Sequence, residues 1–228
     1  MAYWAQIFNI VKKDITTELR AKEAVSAMLV FGLMVIVVFS FAFPRVLGGT
    51  LEQIEIAPGL LWVAFIFAGI LGLNHSFAAE HENNCLQGMM LAPIPRSVIY
   101  IGKLAGNFIF MLLAELIMLG FFIWLFDVRF TGRWHLLLLT IVLGTIAFAI
   151  IGTMFSAISS GTRMRIFLLP LLQFPIVVPA IIFAVEATHA LLVEDSLISF
   201  YVWMIRLLFF NIIFFTICVL LFEYILEE

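Results

Sequence analysis

Residues 78–103 read AAEHENNCLQGMMLAPIPRSVIYIGK and form the longest interruption between apolar runs in the chain. The stretch puts Glu80, His81, Glu82, Asn83 and Asn84 in a row, then the apolar pair Met89–Met90, then Pro93 and Pro95. Proline disfavours helix at the residue before it, so Pro93 and Pro95 mark a double turn. The stretch reads as a water-facing cytosolic loop over 78–103 with one short helix, Glu82–Leu91, lying between two membrane crossings.

The composition around it leaves one class of protein. The chain has 228 residues, of which 64% are hydrophobic and 12% charged, and its mean hydropathy is +1.19. A soluble domain carries about 25% charged residues and about 45–50% apolar ones. So few charges cannot cover so much apolar surface in water, which makes this an integral membrane protein. The net charge of −3 argues against a nucleic-acid partner, which calls for a basic face. Cys85 and Cys218 offer no disulfide framework and no Cys-x-x-Cys motif. The first twenty residues are too charged for a signal-peptide core, so the first apolar run is expected to stay as an anchor.

Working outward, residues 1–22 read as an amphipathic helix. Trp4, Phe8, Val11, Ile15 and Leu19 recur at helical spacing, with Lys13, Thr16, Thr17 and Arg20 opposite. Such a helix lies in the membrane interface, against lipid, or packs on its own bundle. A bilayer core needs roughly 20 apolar residues per helix, and six segments qualify: Ala24–Phe43, Ala57–Phe77, Leu104–Phe126, His135–Ile158, Ile166–Ala187 and Ser199–Phe222. The fifth holds Pro170, Pro175 and Pro179, which predicts a kink or break. Its latter part, Val177–Ala187, completes the span or dips in as a re-entrant helix; both readings stand. Eight of the twelve Lys and Arg fall on one side if the N-terminus is cytosolic. An even number of spans then puts both termini in the cytosol. The whole chain reads as one domain.

Chemistry is sparse. The only Gly-Lys pair, Gly102–Lys103, lacks a Walker A setting, since Ser97 and Leu104 stand where Gly and Ser or Thr are needed. The chain is therefore expected not to hydrolyse nucleotide and not to be an enzyme. His75, His81, His135 and His189 are scattered, and no metal site is expected. Two acids lie inside spans, Glu115 near the middle of the third and Glu186 near the outer end of the fifth. A charge at bilayer depth is costly, so each is a functional candidate, with a satisfied structural acid as the alternative. Gly102 with Gly106, and Gly152 with Ser156 and Ser160, have the spacing that lets helices approach closely.

The layout resembles the permeases of ABC-2 (type V) exporters: an all-α membrane domain with an interfacial N-terminal helix, six spans, a coupling loop between the second and third spans and short outer helices before the sixth. A narrower resemblance is carried by Ile56-Ala57-Pro58-Gly59-Leu60-Leu61-Trp62, followed by Phe77, Glu80, Leu86, Met90–Leu91, Pro93 and Pro95, and later by Leu143-Gly144-Thr145 and the proline-rich Leu168–Pro179. These resemble the CcmB family, the membrane subunit of the cytochrome c maturation ABC complex. The resemblance implies a bacterial inner-membrane protein in two copies, coupled to a CcmA-like ATPase through Glu80, Glu82, Leu86, Met89, Met90, Pro93 and Pro95. It implies work beside CcmC, CcmD and the haem chaperone CcmE. Haem would be handled by the wider complex and ATP by the partner, with neither bound here. A lipid or small-molecule exporter permease, or a scaffold that does not transport, are the competing expectations.

Overall fold

A computed structural model describes residues 2–47, 50–82, 95–126, 132–160 and 165–225. All regular structure among them is helical: α1 Ala2–Ala21, α2 Glu23–Leu47, α3 Thr50–Glu82, α4 Arg96–Phe126, α5 Trp134–Ser160, α6 Arg165–Leu192 and α7 Leu197–Ile225. The six helices α2 to α7 are long and apolar enough to cross a membrane. They alternate in direction. The α1 end of the bundle holds the end of α3, the start of α4 and the end of α7, while the far end holds the α6–α7 turn and the start of α5.

Polar backbone groups cannot be left open in lipid, so each chain reversal has to cap its helices. Lys22 joins α1 to α2 alone, in the left-handed region at φ 57°. Its N–H bonds the Glu18 carbonyl at 2.6 Å, and the Glu18 side chain reaches on to accept the Val25 N–H at 3.0 Å. One acidic side chain thus serves the start of α2. At the far end Asp195 also takes a positive φ, 50°. There Ser196 caps α7 by accepting the Ser199 N–H on Oγ at 3.3 Å.

Burial divides the spans. The crossing stretches of α3 and α5 are 72% and 67% buried, against 22% for α2 and 28% for α7. So α3 and α5 form the centre, with α2 and α7 at the periphery. Lipid supplies no hydrophobic drive between helices, so close approach and hydrogen bonds must hold them. Met28 of α2 lies on Gly72 of α3, where an added Cβ would come within 2.5 Å of its sulfur. The Leu73 carbonyl accepts the Ser156 hydroxyl of α5 at 3.0 Å.

Three sequence expectations change here. The stretch 78–103 is not one loop: Ala78–Glu82 continue α3 and Arg96–Lys103 open α4. A hydropathy window sees only the apolar part of a helix, while the helix itself runs on through polar residues past the bilayer core. The short helix expected over Glu82–Leu91 lies almost wholly outside the described residues. Second, α6 is continuous from Arg165 to Leu192 through all three prolines, so Val177–Ala187 belongs to one long helix. Third, where short outer helices were implied, a turn of four residues, 193–196, leads straight into α7.

Gln173 sits on α6 at 1% exposure, and among the described residues neither polar atom of its amide has a hydrogen-bond partner. It lies against Gly152 and Leu73 territory, where an added Cβ on Gly152 would meet its Nε2 at 2.9 Å. An unpaired buried amide destabilises the fold that holds it. Gln173→Leu, of similar volume, is expected to stabilise the protein by about 1–3 kcal/mol, read as a raised midpoint of thermal unfolding in detergent.

Candidate functional site

The first turns of α4, directly after residues 83–95, form a hub. Pro95 opens the helix by accepting the Val98 N–H at 3.0 Å. Arg96 Nη1 donates to the Glu223 carbonyl of α7 at 2.8 Å. The Tyr100 hydroxyl donates to the Ile150 carbonyl of α5 at 2.8 Å, and its ring lies 5.0 Å from that of Phe222. Asn107 Nδ2 donates to Thr153 Oγ1 of α5 at 3.0 Å. Three residues in the first turns of α4, Arg96, Tyr100 and Asn107, therefore hold α5 and α7.

The same segment grips α1. Lys103 is 2% exposed, and its Nζ lies 2.8 Å from Asp14 Oδ2. Gly102 and Gly106 leave the room for this: an added Cβ on Gly102 would meet Ile10 at 2.9 Å, and one on Gly106 would meet Asp14 at 3.3 Å. The small-residue pair whose spacing lets helices approach closely is the seat of α1. Ile7 and Ile10 pack on Val98, whereas Trp4 and Phe8 are 75% and 65% exposed. The α1 surface thus splits into one strip against α4 and an outward aromatic strip suited to the membrane interface.

A second cluster lies deeper. Trp62 of α3 donates from Nε1 to Thr188 Oγ1 of α6 at 3.0 Å, and that hydroxyl donates to the Ala184 carbonyl at 2.8 Å. Its indole rests on Gly144 of α5, where an added Cβ would be 2.1 Å from the ring. Glu115 of α4 is buried and hydrogen-bonded to the Thr145 hydroxyl, which also bonds the Ile141 carbonyl at 2.7 Å. Trp62, Phe65, Glu115, Thr145, Val177 and Ala184 line a narrow cavity of about 10 Å³, room for one water molecule. The cluster ties α3 to α6 and α4 to α5 near mid-depth: Glu115 is about 16 Å from the Phe126 end of α4 at 1.5 Å per residue.

The residues singled out from sequence divide accordingly. Ala57, Pro58 and Trp62 are buried and Gly59 half-buried on α3, and of this block Trp62 lines the Glu115 cavity. Glu186 is half-buried on α6, away from that cavity. Glu80 and Glu82 fall in the last turn of α3, and nothing of their side chains is described. Leu86, Met89, Met90 and Pro93 lie outside the described residues, and Pro95 is exposed at the start of α4. Asp14 and Thr188 were missed, and Thr145 was read as part of Leu143-Gly144-Thr145 without its tie to Glu115. The available signal for Asp14 was an acid at helical spacing from Ile7 and Ile10, facing the Gly102-Lys103 pair. Among the described residues no group of three or more His, Cys, Asp or Glu could hold a metal ion.

Two expectations follow. Lys103→Met takes the buried partner from Asp14 and leaves it the more exposed Lys13, whose Nζ lies 3.4 Å from Oδ1; it is expected to cost about 1–3 kcal/mol, whereas Lys103→Met with Asp14→Leu recovers most of it; thermal unfolding of the three chains measures this. Gly144→Ala is expected to cost about 1–3 kcal/mol by displacing the indole, and Trp62→Phe in the same chain should return part of that stability.

A family model described as CcmB protein matches residues 5–224. Heme exporter protein B of Paracoccus denitrificans is 31% identical over 185 residues, covering 78% of this chain and 79% of that one. The Haemophilus influenzae protein of the same name is 28% identical over 183 residues, 80% of each chain. That of Rhodobacter capsulatus is 29% identical over 178 residues, covering 78% and 79%. The family match runs through all six membrane-crossing helices, and this multi-pass membrane protein belongs to the CcmB family.

Proposed function

We propose that this chain is the permease subunit of an ABC-type complex in cytochrome c maturation, and that it passes on the work of ATP hydrolysis done by a separate CcmA-like ATPase. Its relatives are named heme exporter protein B, which supports a haem-export component of a larger assembly. In this reading CcmC and CcmD handle haem, and ATP hydrolysis drives delivery to, or release of, the haem-loaded chaperone CcmE. Neither haem nor ATP is held by this chain. The α1 end is cytosolic, because Lys12, Lys13, Arg20, Lys22, Arg96 and Lys103 gather there. Both termini then lie in the cytosol, and the protein sits in the bacterial inner membrane as two copies.

One observation carries the mechanical part. The segment that immediately follows residues 83–95 is bonded at once to α1, α5 and α7. A push from the ATPase on the 80–95 region therefore cannot bend α4 alone. It moves α4 with α1, α5 and α7 as a body, a rigid-body switch. Closing of two ATPases on two such hubs would tilt the bundles against each other, while the Glu115–Thr145 bond keeps α4 and α5 in register at mid-depth.

Charge reversal at both Glu80 and Glu82 is expected to leave ATP hydrolysis by the partner running while holo-cytochrome c assembly falls by tenfold or more, roughly the effect of losing about 1.4 kcal/mol of coupling. Haem-stained cytochrome c and phosphate release, measured on the same membranes, test this. Unchanged assembly would move the docking site elsewhere.

A further inference from the structure

Glu186 and Arg206 lie on the membrane-crossing part of the bundle and are used by neither cluster. Glu186 is half-buried on α6 and Arg206 is exposed on α7. Among the described residues neither has an ion-pair partner; the Arg206 guanidinium carbon sits 4.3 Å over the Trp203 ring. Arg206 comes nine residues after Leu197, about 14 Å along α7, and Glu186 comes six residues before Leu192, about 9 Å along α6. Both lie in the far-end half of the bilayer. Charged groups at such depth pair with one another or face the interior of an assembly.

Their depths match. Phe183 of α6 stacks on Trp203 of α7 with centroids 6.0 Å apart, which puts these two rings at one level. The helices are antiparallel. Glu186 is three residues beyond Phe183 and Arg206 three beyond Trp203, so each lies about 4.5 Å along its own helix from its aromatic neighbour, in opposite directions. A helical side chain leans toward the N-terminus of its own helix. Both charged heads therefore lean back to the level of the aromatic pair. Ile182, Val202 and Ile205 are exposed around them.

A lipid phosphate could answer Arg206 but would leave Glu186 unanswered. A surface carrying the opposite charges at the same depth answers both, and this chain is such a surface. A two-fold axis along the membrane normal keeps depth unchanged and sets α6 of one copy beside α7 of the other. We propose that the far-end face of α6 and α7 is the contact between two copies of this chain, with Arg206 of each bridging to Glu186 of the other. The proposal rests on the two-copy reading above and adds the surface that makes it.

The test co-expresses two differently tagged full-length chains with the ATPase subunit, captures one tag from solubilised membranes and measures the other. Glu186→Arg in both chains, or Arg206→Glu in both, is expected to lower recovery of the second tag by roughly tenfold or more, since like charges then meet across the contact. Putting Glu186→Arg in one chain and Arg206→Glu in the other restores recovery, because every pair across the axis is again of opposite sign. Both substitutions in every chain restore it too, which shows that the substituted chains fold. Rescue by the double substitution without rescue by the mixed pair would place the bridge within one chain and overturn the proposal, as would reversals that change nothing. If the unsubstituted chains fail to capture each other, the two-copy reading itself falls, and the interface with it.

Discussion

A lysine ammonium at 2% exposure needs a counter-charge, and Asp14 supplies it to Lys103 at 2.8 Å. Removing two charges from water costs several kcal/mol per ion, so the pair contributes little net stability against an apolar equivalent. What it contributes is register. Only one seating of α1 on α4 brings Asp14 to Lys103 while Ile10 meets Gly102, and an amphipathic helix held by apolar contact alone could slide by a turn. The exposed pair at the other end, Arg133 with Asp195 at 2.5 Å, is of a different kind. Both side chains there are more than a third exposed, so solvent screens the attraction and the turn is held mainly by its backbone caps.

With α1 fixed to α4, the remaining contacts fall into two mechanical classes. At the α1 end and at mid-depth, α4 meets α5 through directional hydrogen bonds: the Tyr100 hydroxyl to the Ile150 carbonyl, the Asn107 amide to Thr153, and Glu115 paired with the Thr145 hydroxyl. In an apolar medium these bonds have no water to exchange with, so they open reluctantly and they specify geometry. The indole of Trp62 adds a steric lock, since the seat on Gly144 admits no other side chain at that position. α3, α4, α5 and α6 are thus tied pairwise at one depth around a cavity too small for more than a water molecule.

How much of this was legible follows from what a hydropathy pattern measures. The six crossings announce themselves because about twenty apolar residues in a row have few other uses. Their ends do not, because a helix pays nothing extra to continue through Arg96 or Glu82 once past the bilayer core. Lys103 accordingly reads as loop from its charge, although it sits two turns inside α4. On α1, aromatic residues draw the eye to the Trp4–Phe8 strip, while the strip that packs is Ile7, Ile10 and Asp14, weaker in hydrophobicity and carrying a charge. Glu115 stands out alone in an apolar run, but its partner Thr145 is an ordinary threonine, and only the packing of α4 on α5 selects it. The three prolines of α6 argue for a kink or a break, and the helix runs unbroken from Arg165 to Leu192. Proline removes one backbone bond at a time, and neighbouring helices can hold the rest in line.

The second mechanical class is the boundary of α2. Its polar side chains bond inward, Ser26 to the Glu23 carbonyl and Ser40 to the Val37 carbonyl. Toward α3 and α4 it offers methionine on glycine: Met28 lies on Gly72, and Met118 of α4 on Gly32. A thioether with three rotatable bonds adapts to a shifted neighbour where a threonine hydroxyl cannot. So the bundle combines one group of helices locked by directional bonds with one peripheral helix, α2, that is bonded to α1 at its start through Glu18 and Val25 and seated on α3 and α4 through soft, adjustable contacts. If residues 83–95 receive force, the locked group has to move together, and the methionine–glycine boundary is where the displacement is taken up. In the proposed mechanism, fixed geometry on one side of α4 and compliance on the other would turn a push on residues 83–95 into a relative motion of helices rather than a local distortion.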